Sequence, residues 1–214
     1  MYIMDLVYLF WEGEFAMNNE RRKTLRMTQL AMIGAIIVLM AFTPLGYLKI
    51  GPLSITFLTI PVVIGAILMT PADGAILGGV FGLTSFAQCF GMDAFGTALM
   101  AYNPLFTAIV CIIPRILIGY FAGLVNQKLE KTSINKTVSY AISAFAGALT
   151  NTVFFVGLLI LLFKNSETLS ALGDSVMQII SVLVTSNSLI EALACTVLVA
   201  AIARACAEVI KRKK

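Results

Sequence analysis

The chain has 214 residues, of which 59% are hydrophobic and only 12% charged, and its mean hydropathy is +0.95. Soluble domains carry about 25% charged residues, so half that share, spread over several long apolar runs, excludes a soluble fold and describes an all-α integral membrane protein. The net charge of +4 is no sign of nucleic-acid binding, because Lys and Arg gather in three clusters: Arg21–Arg26, Lys128–Lys136, and Arg204 with Lys211–Lys214. If those clusters face the cytoplasm, the positive-inside rule demands an even number of crossings. Only Lys49, Arg115 and Lys164 lie elsewhere.

Residues 1–20, MYIMDLVYLFWEGEFAMNNE, hold a short apolar patch interrupted by Asp5, Glu12 and Glu14. The patch lacks the basic start and small-residue cleavage site of a signal peptide. It reads as an amino-terminal extension outside the fold, either upstream of a natural initiator at Met17 or lying at the membrane interface. Residues 21–214 read as one membrane domain.

The run Met27–Tyr47 follows the first basic cluster and predicts a spanning helix, since about 20 apolar residues at 1.5 Å rise cross a hydrocarbon core of about 30 Å. Ala31, Gly34 and Ala35 put small residues on one side of it. Lipid gains nothing from such a face, whereas another helix can approach it closely. The face therefore serves either packing within one bundle or docking of a separate membrane protein. After Pro44–Gly46, the stretch KIGPLSITF, with its Gly51-Pro52 turn and β-branched residues, predicts a short extended excursion at the outer surface.

A second helix over about Phe57–Thr70 is short and interrupted by Pro61, so it needs bending or protein backing to cross. Asp73 is the expected N-cap of a third helix, about Gly74–Phe90. Gly74, Gly78, Gly79 and Gly82 line that helix and predict close packing. The stretch AQCFGMDAFGTALMAYNP reads as a polar, glycine-rich outer loop. Helix 4 spans about Leu105–Lys128 with Pro114 and Arg115 in its middle, and helix 5 about Thr137–Phe163. A polar loop, KNSETLSALGDS, precedes an apolar piece over Val176–Val184 that reads as a surface helix. Helix 6, about Asn187–Ile210, closes a compact bundle of six crossings with both termini cytoplasmic.

Cys89, Cys111, Cys195 and Cys206 sit in or beside apolar runs with no metal-ligand spacing, as buried reduced thiols do. Histidine is absent, which removes the commonest general base and metal ligand. With no nucleophile–base constellation either, the sequence argues against a membrane enzyme and implies no metal or cofactor.

Polar groups at membrane depth carry the functional reading. Arg115 lies about 15 Å from the outer end of helix 4, near the midplane. An arginine there costs roughly 2.5–3.5 kcal/mol and normally faces the bundle interior with a partner. It serves either in an ion pair with Glu191 or as anchor for an anionic ligand group. Glu191, with Asn187 one turn above it, lies shallower, which argues mildly against a tight pair. Asn151 sits near the midplane of helix 5, on one face with Gly147 and Phe155. Its amide serves either a helix–helix hydrogen bond or a ligand. Two polar groups at matched depth on adjacent helices, Arg115 and Asn151, fit a ligand cavity better than chance placement. Gln88, Asp93, Tyr102 and Asn103 would stand at its mouth, and Tyr47, Phe86, Phe90 and Phe155 could wall it.

With these residues in hand, the sequence resembles the S components of energy-coupling factor (ECF) transporters. The likeness rests on the Ala31-x-x-x-Ala35 face, on six expected crossings, on LTIPVVIGAILMTPADGAILGGVFGLTSF across helices 2 and 3, and on Pro114-Arg115 and Thr150-Asn151-Thr152. It covers about Arg22–Arg212. The resemblance implies a multi-pass protein of a bacterial cytoplasmic membrane that binds a small-molecule vitamin from outside. It further implies docking through Ala31–Ala35 onto a membrane scaffold coupled to two cytoplasmic ATPase subunits, with inward release. A GxxxxGK[ST] phosphate loop is missing, as expected if partners hydrolyse ATP. FTPLGYLKIG and TSFAQCFG resemble the pantothenate-type members, and Arg115 would suit the carboxylate of pantothenate and Asn151 its amide or hydroxyls. Riboflavin would need stacking and amides more than an arginine, and cobalamin a wide mouth. A stand-alone secondary transporter would show repeats or buried acidic pairs; no repeat is evident, and Glu191 is the only acid well inside a span.

Overall fold

The computed structural model describes residues 19–212 except 45, 51–52, 133 and 164–188. Among these described residues seven helices and one two-stranded hairpin follow in the order α1 (Asn19–Ala41), β1 (Tyr47–Ile50), β2 (Leu53–Thr56), α2 (Thr59–Leu68), α3 (Pro71–Gln88), α4 (Ala94–Tyr102), α5 (Pro104–Leu129), α6 (Lys136–Phe163) and α7 (Leu189–Arg212). The described fold is all-α apart from that hairpin. Lys23–Ala41, Pro104–Leu129 and Lys136–Phe163 are long and apolar enough to cross a membrane, while Thr59–Leu68 and Glu191–Ile202 are shorter apolar helices.

The extended excursion after α1 is an antiparallel pair in which Tyr47 faces Thr56 and Ile50 faces Leu53. Its base is closed by the Phe57 N–H donating to the Gly46 carbonyl at 2.9 Å. Pro61 does not break α2. It sits in the first turn, where a backbone N–H has no intrahelical acceptor and proline costs nothing. Thr70, not Asp73, is the N-cap of α3: its hydroxyl accepts from the Asp73 N–H, and Pro71 follows at the first helical position. The stretch expected to be an outer loop contains α4. Asp93 caps that helix by accepting from the Gly96 N–H at 2.7 Å, and Gly91, at φ 109°, makes the turn into it. The apolar piece Val176–Val184 lies outside the described residues.

Two cross-links hold α1 against α3. At one end the Arg26 guanidinium grips Asp73, with Nε 2.8 and 3.0 Å from the two carboxylate oxygens and Nη2 2.7 Å from Oδ1. Asp73 is fully buried there and also accepts from the Thr70 hydroxyl at 2.7 Å. At the other end the Gln88 amide donates to the Ala41 carbonyl. A third polar tie lies between α5 and its neighbours, where Asn126 Nδ2 donates to the Ile67 carbonyl and its Oδ1 accepts from Ser139.

The main apolar core joins Ile37 and Ala41 of α1 to Leu58, Val62 and Val63, Leu77 and Phe81, Ile118, Ala144, and Cys195 and Val199. A second cluster gathers Leu99, Val110, Leu159 and Phe163 around α4 and the adjoining ends of α5 and α6. Helices α3 and α5 form the closest interface. A Cβ on Gly74 would meet the Gly119 backbone, one on Gly78 the Arg115 carbonyl, and one on Gly82 the Ile112 backbone. Three glycines one turn apart thus let two main chains touch. Gly79 is different, since a Cβ there meets only Ile116 Cγ1 at 3.8 Å. Gly78→Val is expected to destabilise the protein by about 1–3 kcal/mol through overpacking, whereas Gly79→Ala changes stability by less than about 0.5 kcal/mol. Thermal unfolding of both variants in detergent measures the difference.

Candidate functional site

Pro114 lies inside α5, and proline has no N–H to give the carbonyl four residues earlier. That carbonyl belongs to Val110. It accepts instead from Arg115 Nη1 at 3.0 Å, so the guanidinium folds back along its own helix. The cation then sits between two rings, 4.7 Å from the Phe155 centroid on α6 and 5.7 Å from the Phe81 centroid on α3. Phe81 belongs to the main core, and Phe155 packs on the second cluster. Arg115 therefore occupies the seam between the two apolar bodies.

Among the described residues Arg115 has no carboxylate within ion-pair distance. Glu191 turns elsewhere: its Oε1 accepts from the Thr59 hydroxyl at 3.2 Å. The expected alternative of an Arg115–Glu191 pair is thus replaced by a hydroxyl–carboxylate contact that joins α7 to α2. Among the described residues Arg115 Nε is buried without a partner, and so is Asn151 Oδ1 on α6. The threonines flanking Asn151 are satisfied within their own helix, Thr150 on the Ala146 carbonyl at 2.8 Å and Thr152 on that of Ala148 at 3.2 Å. Only the amide between them is left over. A buried donor and a buried acceptor without partners each cost about 1–3 kcal/mol. A molecule carrying an anionic acceptor and a hydroxyl or amide donor would satisfy both.

The structure sets Arg115 of α5 against Phe155 of α6, and Asn151 lies four residues before Phe155 on that helix. Other expected site residues have structural employment. Gln88 is committed to the Ala41 carbonyl, and Asn103 caps α5 by accepting from the Leu105 and Phe106 N–H groups at 3.0 and 3.2 Å. Tyr47 opens β1, with its side chain outside the described part, and Asn187 lies outside the described residues. The sequence reading missed Phe81 and Thr59. Phe81 was within reach of pattern reasoning, because it continues the face of Gly74 and Gly78 at helical spacing.

On α1, Ala31 and Ala35 are exposed, and a Cβ built on Gly34 would find no atom within 4 Å beyond the helix's own backbone. The described part of the bundle does not use this small-residue face for its own packing.

Residues 25–203 match the family model described as ECF transporter, substrate-specific component. The chain is 32% identical over 195 residues to the pantothenate transporter PanT of Leuconostoc mesenteroides subsp. mesenteroides, covering 87% of this chain and 93% of that protein. It is 29% identical over 184 residues to the pantothenic acid transporter PanT of Lactococcus lactis subsp. cremoris, covering 81% and 89%. A crystal structure of the S-component for biotin from an ECF-type ABC transporter superposes with a TM-score of 0.55 at 18% identity, over 88% of this chain and 95% of that one. The chain therefore belongs to the substrate-specific components of ECF transporters.

Proposed function

We propose that this protein captures pantothenate from outside a bacterial cell and hands it inward after docking on an energising module. Support comes first from two buried atoms without a partner among the described residues, Nε of Arg115 on α5 and Oδ1 of Asn151 on the adjacent α6. Pantothenate offers a carboxylate for the first and hydroxyls or an amide for the second, with charge-assisted bonding at the arginine. The names of the two curated relatives point to the same cargo. Phe155 supplies an apolar wall. Glu191, Asn187, Gln88, Asn103 and Tyr47 remain proposed contributors at the approach to Arg115.

The transport half of the proposal rests on α1. Its exposed Ala31–Gly34–Ala35 face suits a membrane scaffold helix, and two cytoplasmic ATPase subunits attached to that scaffold would supply the energy. The chain itself is a binding component with no catalytic step. In this reading six crossings place the basic clusters and both termini in the cytoplasm, as the positive-inside rule asks.

Arg115→Ala is expected to weaken pantothenate binding by about 10- to 150-fold, since a hydrogen bond to a charged group is worth about 1.5–3 kcal/mol. Calorimetry on the purified protein tests this, and unchanged affinity removes the anchor. Asn151→Leu should raise the melting temperature of the cargo-free protein, by removing a buried amide oxygen that has no partner among the described residues, while weakening binding about tenfold. Ala31→Trp should leave affinity intact and abolish uptake of labelled pantothenate by cells. Joint loss of affinity and uptake would assign that face to folding instead.

A further inference from the structure

We infer that Pro114 is the specificity-determining residue of the site, because it creates the acceptor that aims Arg115. The inference rests on the reading of Arg115 as the cargo's anchor. In an uninterrupted helix the residue at 114 would donate its N–H to the Val110 carbonyl and close a backbone bond. Proline cannot donate, and its ring crowds the carbonyl four residues back. The free carbonyl is the group that Arg115 Nη1 contacts at 3.0 Å. Arginine carries five N–H donors in a fixed planar fork, so holding one nitrogen fixes the direction of the others. With Nη1 tied to Val110 and the guanidinium carbon 5.7 and 4.7 Å from the Phe81 and Phe155 ring centroids, Nε is left buried with no partner among the described residues.

The consequence is selective. A flexible arginine would follow any polar group, whereas a pre-aimed fork rewards a planar, bidentate anion over a neutral hydroxyl. The proline thus sets how strongly a carboxylate is preferred. It touches no cargo itself and is a positioning residue.

The test is Pro114→Ala in the full-length protein, read by calorimetry against pantothenate and against its primary-alcohol analogue, in which CH2OH replaces the carboxylate. Alanine restores the N–H and closes the backbone bond to Val110. Pantothenate is then expected to bind about tenfold more weakly, with the alcohol unchanged, so the preference narrows by about that factor. Melting temperature should rise, because an interior proline is removed. Stability and selectivity moving in opposite directions is something a purely structural proline would not produce. Pro104→Ala is the control: it stands at the first helical position of α5, and should change neither the preference nor the affinity. Equal weakening toward acid and alcohol, or a fall in melting temperature with loss of both ligands, overturns the inference in favour of a packing role. Wild-type affinity and preference in Pro114→Ala, with binding abolished in Arg115→Ala, overturns it while leaving the anchor in place. Unchanged pantothenate affinity in Arg115→Ala removes the anchor and the inference together.

Discussion

The contact between the α3 and α5 main chains is the constraint from which the site follows. Gly74 abuts Gly119, and the space beside Gly78 is filled by the Arg115 carbonyl. No side chain separates the helices there, so their distance is fixed by backbone contact and not by rotamers that can repack. Phe81, next along the same face of α3, is thereby brought within 5.7 Å of the Arg115 guanidinium. Widening the interface by one methyl would move the cation and its ring apart together.

A guanidinium at membrane depth usually calls for a carboxylate, and this one manages with weaker partners. Burial in a spanning helix costs roughly 2.5–3.5 kcal/mol. One hydrogen bond to a charged group recovers about 1.5–3 kcal/mol, and contact with an aromatic face about 0.5–2 kcal/mol. The Val110 carbonyl and the Phe155 ring are thus enough to hold the cation without an acid. Among the described residues no carboxylate lies within ion-pair distance of it, and Glu191 is held on Thr59 instead.

Much of this was written in the order of residues. Hydropathy located the long helices, the spacing of glycines on α3 announced a close interface, and Arg115 and Asn151 stood out as polar groups in apolar surroundings. The errors arose where local chemistry admits two outcomes. Pro61 looked like a helix breaker, but a proline in the first turn is compatible with the helix it begins. Asp73 resembled a cap, yet Thr70 takes that place and frees the carboxylate for Arg26, a partner 47 residues away. Gln88 and Asn103 have a structural use that their letters do not announce: their amides close a helix junction and a helix start, because an unsatisfied backbone group lies within reach. Phe81 is one aromatic among many in an apolar helix, and only its spacing from Gly74 and Gly78 marks it. The Val110 carbonyl has no side-chain letter at all; it is legible only as the residue four places before a proline.

The two cross-links on α1 have a mechanical meaning. Arg26 pins one end of this rod to the start of α3 and the Ala41 carbonyl pins the other end to Gln88, while the small-residue stretch between them faces outward. A rod held at two points tilts less readily than one held at its middle, and the element that holds it, α3, is itself in main-chain contact with α5 across the glycine seam.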